Sequence, residues 1–273
     1  MKEQTIGFIG CGNMAKAIIG GIVKSQLISS DRIIASNRSE EALESVKKLY
    51  DIRTTTDNKM VAKEADLIVL AVKPYVYKTV INEIKDLVNK HQIIINIAAG
   101  VSIKQTEAMF GKKLKIVRTM PNTPALVSEG MTSISPNELM IQEEIDDVVA
   151  IFESFGKAEV ISEDLIHAVI PVSGSSPAYV YQFIEAMADA AVLQGMPRKK
   201  AYKFASQAVL GAAKMVLETG LHPGELKDQV CSPGGTTIEA VTTLEEEGFR
   251  KAVIRAMNTC SEKSRRMTED NDE

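Results

Sequence analysis

The stretch TIGFIGCGNMAKAIIGG, residues 5–21, limits what this chain can fold into more than any other. A β-branched run leads into Gly10, Gly12 follows, Ala15 comes three residues later, and a helical pattern begins at once. In such a G-x-G-x-x-A arrangement Gly10 permits a tight turn, Gly12 lets the backbone approach a pyrophosphate, and the small Ala15 lets helix pack closely on strand. The amides of Gly12, Asn13 and Met14 then open the helix and face the anion. A dinucleotide-binding strand–turn–helix is the expectation.

The same rhythm continues. Short apolar runs at 5–10, 32–36, 66–73, 92–98 and 115–119 alternate with segments of i, i+3, i+4 apolar spacing, the pattern of parallel strands joined by crossover helices. A doubly wound, Rossmann-type α/β sheet over residues 1–162 follows. From about Glu163 the strand-like runs vanish and Ala-rich helical segments such as 177–193 and 198–219 take over, so 163–273 is expected to be a second, all-helical domain. Within it IEAMADAAV, residues 184–192, is apolar on more than one face, which suits either the core of one domain or a subunit interface. The charged end RRMTEDNDE, residues 265–273, reads as a frayed, solvated tail.

Composition removes several classes of function. A formal net charge of -4, with lysines scattered among carboxylates, supplies no basic surface for nucleic acid. No apolar run approaches the ~20 residues that span a bilayer, and residues 1–10 lack the pattern of a secretory signal, so a cytoplasmic protein without membrane contact is expected. Cys11, Cys231 and Cys260 make no metal-ligand spacing with His91, His167 or His222 and no disulfide framework. No metal is expected.

The second strand ends in Ser36-Asn37-Arg38-Ser39, without the carboxylate that commonly receives a ribose 2′-hydroxyl. Arg38, helped by Asn37, can pair with a 2′-phosphate, which points to NADPH with NADH still possible, unless Arg38 is simply a solvated surface charge. Ala71, Val72, Lys73 and Pro74 close the third predicted strand, and Ala99 and Gly100 close the fourth, at the carboxyl edge where ligands bind such sheets. Their small side chains leave room for a nicotinamide ring. Pro74 can equally be a strand terminator and Lys73 a surface charge. Further on, VCSPGGTT at 230–237 lies between helical segments. Pro233, Gly234 and Gly235 force a compact turn, and a helix starting there aims unpaired amides outward beside Thr236 and Thr237. That makes either a carboxylate receptor or a plain helix–helix turn with a Thr cap.

The block LKDQVCSPGGTTIEAVTTLEEEGFRKAV resembles the signature segment of pyrroline-5-carboxylate reductases. GFIGCGNMAKAIIGG, AVKP, MPNTPALV and SGSSPAYVYQFIEAMADAAVLQGM resemble that family's other blocks, in the same order, over nearly the whole chain. The resemblance implies a Rossmann-type cofactor domain and a helical domain that binds substrate and builds an interlocked homodimer, with larger assemblies known. It also implies reduction of L-1-pyrroline-5-carboxylate to L-proline by NADPH or NADH, the last step of proline biosynthesis. Carried over by position, Ser232, Gly234, Gly235, Thr236 and Thr237 form the substrate loop, with Thr237 catalytic near the imine nitrogen, and Asn122 and Pro124 lie beside the nicotinamide. One departure is visible: Ser176 stands where the family commonly has glycine in S-G-S-G-P-A-Y.

A protonated cyclic imine accepts hydride readily, so no dedicated base is demanded, and the chain offers no obvious His–Asp pair. A β-hydroxyacid dehydrogenase of similar plan needs a lysine one helical turn after an asparagine, which neither Lys199 nor Lys214 provides. A non-catalytic NADPH-binding regulator on the same fold is the alternative from another class.

Overall fold

The computed structural model describes residues 3–269. Its first part alternates β1 (Ile6–Ile9), α1 (Asn13–Ser25), β2 (Ile33–Ser36), α2 (Glu40–Tyr50), β3 (Arg53–Thr55), α3 (Asn58–Glu64), β4 (Leu67–Leu70), α4 (Tyr77–Ile84), β5 (Ile93–Asn96), α5 (Ile103–Phe110) and β6 (Lys115–Met120). Then come β7 (Gly130–Pro136), α6 (Gln142–Glu153), β8 (Gly156–Val160) and the single turn α7 (Ile166–Val169). The strands form one sheet in the order β3-β2-β1-β4-β5-β6-β7-β8. Neighbours from β3 to β6 are parallel, β7 is antiparallel to β6, and β8 is parallel to β7.

Every residue of β1, β2, β4 and β5 is buried, because helices cover both faces of a parallel sheet. Alternation along each strand divides the core in two: Phe8, Val69 and Ile95 point to one cluster with Ile18 and Phe152, whereas Ile9, Ile68 and Ile94 point to the other with Ile81 and Phe110. Three strands depart from the sequence expectation. β3 is three residues long, β8 reads GKAEV, and β7 buries the hydroxyls of Thr132, Ser133 and Ser135, so none of them forms the apolar run that marks a strand. The run expected over 66–73 is strand only to Leu70.

The remaining helices are α8 (Ser176–Leu193), α9 (Arg198–Thr219), α10 (Pro223–Val230), α11 (Thr236–Glu246) and α12 (Phe249–Glu269). Residues 176–259 form one compact unit, and the sheet together with 163–175 and the residues of α12 from Cys260 onward forms the other. The two units thus divide at 175/176 by packing. Ser176 opens α8 with no positive φ, so the serine fits where the family commonly has glycine. The expected frayed tail is corrected over 265–269: these residues are helical, and Gln105 Nε2 donates to Thr268 O at 2.9 Å. Residues 270–273 of that expected tail lie outside the described residues.

Within the helical unit the only buried residues are Ala188, Ala201 and Ala205, while Tyr181, Phe204, Leu210, Leu217 and Ile254 are exposed. Covering one such leucine or phenylalanine is worth ~1.5–3 kcal/mol, and these helices leave several of them bare. Of the two readings of 184–192, the core of a single chain is the one this burial does not support. Among the described residues no helix is long and apolar enough to cross a membrane, and no group of three or more His, Cys, Asp or Glu could hold a metal ion.

Candidate active site

The parallel register aligns the strand ends, pairing Ile9 with both Ser36 and Leu70, and Leu70 with Asn96. Gly10, Asn37, Ala71 and Ile97 therefore leave the sheet in one row at its carboxyl edge, on both sides of the point where strand order reverses. Gly10 has φ +99°, and a Cβ placed on it would sit 2.6 Å from the Ala71 carbonyl oxygen, so no side chain fits there. Its N–H donates to Ser36 O at 2.9 Å, which fixes the turn. A Cβ on Gly12 would meet nothing within 4 Å, leaving open space over the backbone that begins α1. No side chain caps this helix, so its first-turn amides remain to receive an anion. Ala15 is buried against the core, as its packing role requires. Asn13 is exposed and Met14 half-buried.

Beyond β2, Asn37 Nδ2 donates to Ser39 O at 3.5 Å and the Ser39 hydroxyl accepts from Ala42 N, so Asn37 and Ser39 order the entry to α2. Arg38 is exposed, and among the described residues it has neither an ion pair nor a side-chain hydrogen bond. Val72 and Pro74 are half-buried and Lys73 is exposed. Pro74 opens a short 3-10 turn, Pro74–Val76, well after β4 has ended at Leu70, and is not the strand terminator.

The loop carrying Ala99 and Gly100 is shaped by a residue that sequence reasoning missed. Asn96, fully buried at the end of β5, accepts from Ala98 N at 2.8 Å and donates through Nδ2 to Val101 O at 3.0 Å and to Thr106 Oγ1 at 3.2 Å. The Tyr77 hydroxyl lies 2.7 Å from Asn96 Oδ1 and 2.9 Å from Leu70 O, and burial holds it above the usual phenol range. An asparagine following three isoleucines was the available signal. Replacing Asn96 by Leu strands the Ala98 N–H and the Val101 carbonyl at ~1–3 kcal/mol each. The expected outcome is a loss of about 2–4 kcal/mol in urea unfolding. A stability equal to the parent's would mean that water replaces the amide.

Asn122, also buried, donates to Ser173 O at 3.0 Å and accepts from Met131 N at 2.9 Å, clamping the loop after β6 to β7. Pro124 lies in the turn Thr123–Val127 that follows. Nearby is a cavity of about 300 Å³ between Ala99, Gly100, Met120, Gly174 and Ser175 on one side and Lys263 and Met267 on the other. All of these belong to the sheet-containing unit.

In the helical unit, Ser232–Gly235 makes a β-turn closed by Gly235 N donating to Ser232 O at 3.0 Å, with Gly234 at φ +65° after Pro233. That is the type II pattern, which needs glycine at its third position. The expected alternative of a Thr cap is corrected: Gly235 itself is the N-cap of α11, and no side chain caps the helix. Thr236 and Thr237 occupy its first two helical positions, so their amides and that of Ile238 have no helical acceptor. Thr242 and Thr243 return their hydroxyls to Ile238 O and Glu239 O, whereas among the described residues the hydroxyls of Thr236 and Thr237 have no partner. Three orphan amides flanked by two uncommitted hydroxyls can hold a carboxylate and still reach an adjacent polar atom.

The family model for pyrroline-5-carboxylate reductase dimerisation matches residues 163–267, and that for NADP oxidoreductase, coenzyme F420-dependent, matches 5–100. The chain is 55% identical to the pyrroline-5-carboxylate reductase of Escherichia coli K12, covering 97% of this chain and 99% of that protein. It belongs to the pyrroline-5-carboxylate reductase family. The archaeal reductase of Methanosarcina acetivorans is 43% identical over 98% of this chain and 99% of its own length. Among solved structures, the reductase of Coxiella burnetii superposes with a TM-score of 0.92 at 36% identity, covering 97% of this chain and 98% of that one. The Plasmodium falciparum enzyme, solved with NADP bound, gives 0.88 at 33%, covering 98% and 99%. A prephenate dehydrogenase from Aquifex aeolicus shares only the fold, at 14% identity and a TM-score of 0.55. The family assignment leaves the β-hydroxyacid dehydrogenase reading without support.

Proposed function

We infer that this chain reduces L-1-pyrroline-5-carboxylate to L-proline with a nicotinamide dinucleotide, NADPH in preference to NADH, in the cytoplasm and as a homodimer or a larger assembly of dimers. The reduction rests chiefly on the loop at 232–237, where orphan amides and uncommitted hydroxyls match a carboxylate next to a ring nitrogen. The residues of the sheet edge fit the cofactor: open space at Gly12, a turn at Gly10 that admits no side chain, and an exposed guanidinium at Arg38, unpaired among the described residues, for a 2′-phosphate. When bound, the cofactor supplies the hydride. The chain's part is to hold the substrate carboxylate on the amides of Thr236, Thr237 and Ile238 and to place the Thr237 hydroxyl at the imine nitrogen. Free Cys11, Cys231 and Cys260 suit a reducing compartment.

The deciding experiment is absorbance-followed oxidation of NADPH by the full chain on addition of pyrroline-5-carboxylate, with L-proline formed in equal amount. A protein that binds NADPH but consumes none with this imine would be the non-catalytic regulator instead. For assembly, the bare apolar side chains of the helical unit support burial against a second copy. Light scattering at micromolar concentration is expected to report at least a dimer, and a stable, active monomer would reject this.

A further inference from the structure

One wall of the 300 Å³ cavity is a single face of α12: Cys260, Lys263, Ser264 and Met267 recur at the spacing of neighbouring helical turns. The opposite wall is the exit of β5 at Ala99 and Gly100, the exit of β6 at Met120, and Ile170, Gly174 and Ser175. The volume lies at the low end for small-molecule sites, enough for a ring and too little for a dinucleotide. Met120 and Met267 bring thioethers from opposite walls, which suits a flat aromatic guest, and Ser175 and Lys263 offer polar groups for an amide at its edge.

This stretch of α12 reads CSEKSRRMTE, with little apolar surface of its own to anchor it. Side-chain bonds anchor it instead. Cys260 Sγ lies 3.3 Å from Ser175 Oγ, Ser264 Oγ lies 2.9 Å from His167 Nδ1, and Gln105 Nε2 reaches Thr268 O at 2.9 Å. His167 is held below the usual imidazole range by burial first and then by the cations of Arg118 and Arg265, so the ring is neutral at pH 7 and Nδ1 can accept the serine hydroxyl.

We propose that the last turns of α12 form the wall on which the nicotinamide end of the cofactor seats, and that His167 and Gln105 are positioning residues that hold this wall. The inference rests on the cofactor reading above and adds residues that touch neither cofactor nor substrate. Gln105→Glu is a selective probe, because Gln105 Oε1 also accepts from Ser102 N at 2.7 Å in the cap of α5, and a glutamate keeps that acceptor while losing the donor to Thr268. His167→Leu removes the second tie, and His167→Asn retains an acceptor near Nδ1.

The test is calorimetric binding of NADPH and of 2′,5′-ADP, which lacks the nicotinamide half, to the full-length protein. Gln105→Glu and His167→Leu should each weaken NADPH about fivefold to twentyfold, with 2′,5′-ADP held within about twofold and His167→Asn restored towards the parent. Should a variant not fold, 2′,5′-ADP binding reveals it, and Ser264→Ala breaks the same tie with a smaller change. NADPH binding that is unchanged, or that falls in step with 2′,5′-ADP, overturns the proposed wall. The measurement contains no imine, so its failure is separate from failure of the reductase assay, and absence of NADPH binding to the unaltered protein would refute the cofactor reading itself.

Discussion

Arg38→Ala is expected to raise the Michaelis constant for NADPH about tenfold to a hundredfold while leaving that for NADH within about twofold. The guanidinium is exposed and unpaired among the described residues, so its removal takes away no internal contact and should not alter folding. What it would lose is a charge-assisted hydrogen bond to the 2′-phosphate, worth ~1.5–3 kcal/mol, and each 1.4 kcal/mol is a factor of about ten in binding. Ser39 still caps α2, so the local backbone persists in the variant. Because the contact is lost equally from bound substrate and from the transition state, turnover at saturating NADPH should hold. Added salt should narrow the difference between parent and variant, since an exposed charge is screened. If both cofactors weakened alike, Arg38 would be serving the shared pyrophosphate or the helix start, and the preference for NADPH would need another source.

The sheet edge was legible in the sequence wherever one residue type had one physical task. Gly10 alone tolerates φ +99° against the Ala71 carbonyl, and β1, β2, β4 and β5 carry enough isoleucine, leucine and valine to declare burial on both faces. The hidden parts were those where partners come from far along the chain. β7 is held by backbone pairing with β6 and β8 rather than marked by an apolar pattern, and Asn96 acquires its role only once Tyr77, Val101 and Thr106 surround it. The tail misled for a related reason. Charge density over 265–269 suggests solvation, but a helix can expose its arginines on one face and bury Ser264 on the other. At the substrate loop the sequence left two readings, because S-P-G-G-T-T suits a capped turn as well as a receptor. The N-cap position removes the Thr cap from the first of them: it falls on Gly235, which has no side chain with which to cap.

That same geometry sharpens the expectation for Thr237→Ala, a loss of turnover of about tenfold to a hundredfold with little change in the substrate Michaelis constant. Such a loss is ~1.4–2.8 kcal/mol in barrier, the range of one hydrogen bond to a group whose charge changes during reaction. The hydroxyl can follow the imine nitrogen as its charge is lost, whereas the first-turn amides hold the carboxylate before and after the step alike. Alanine at this position keeps the amide, removes no cap and favours the helix, so a damaged α11 is not the source of the loss. Gly235→Val should behave in the opposite manner. Its φ of -85° admits a side chain, but a Cβ there would lie 3.1 Å from Ser232 O and crowd the turn that presents the amides. A higher substrate Michaelis constant with turnover largely kept is the expected result, since binding is lost in ground state and transition state together. Steady-state kinetics on both variants, each first shown to bind NADPH as the parent does, separates the two roles. If Thr237→Ala kept full turnover, the nitrogen would be served by water or by another residue, and the loop would be a carboxylate receptor alone.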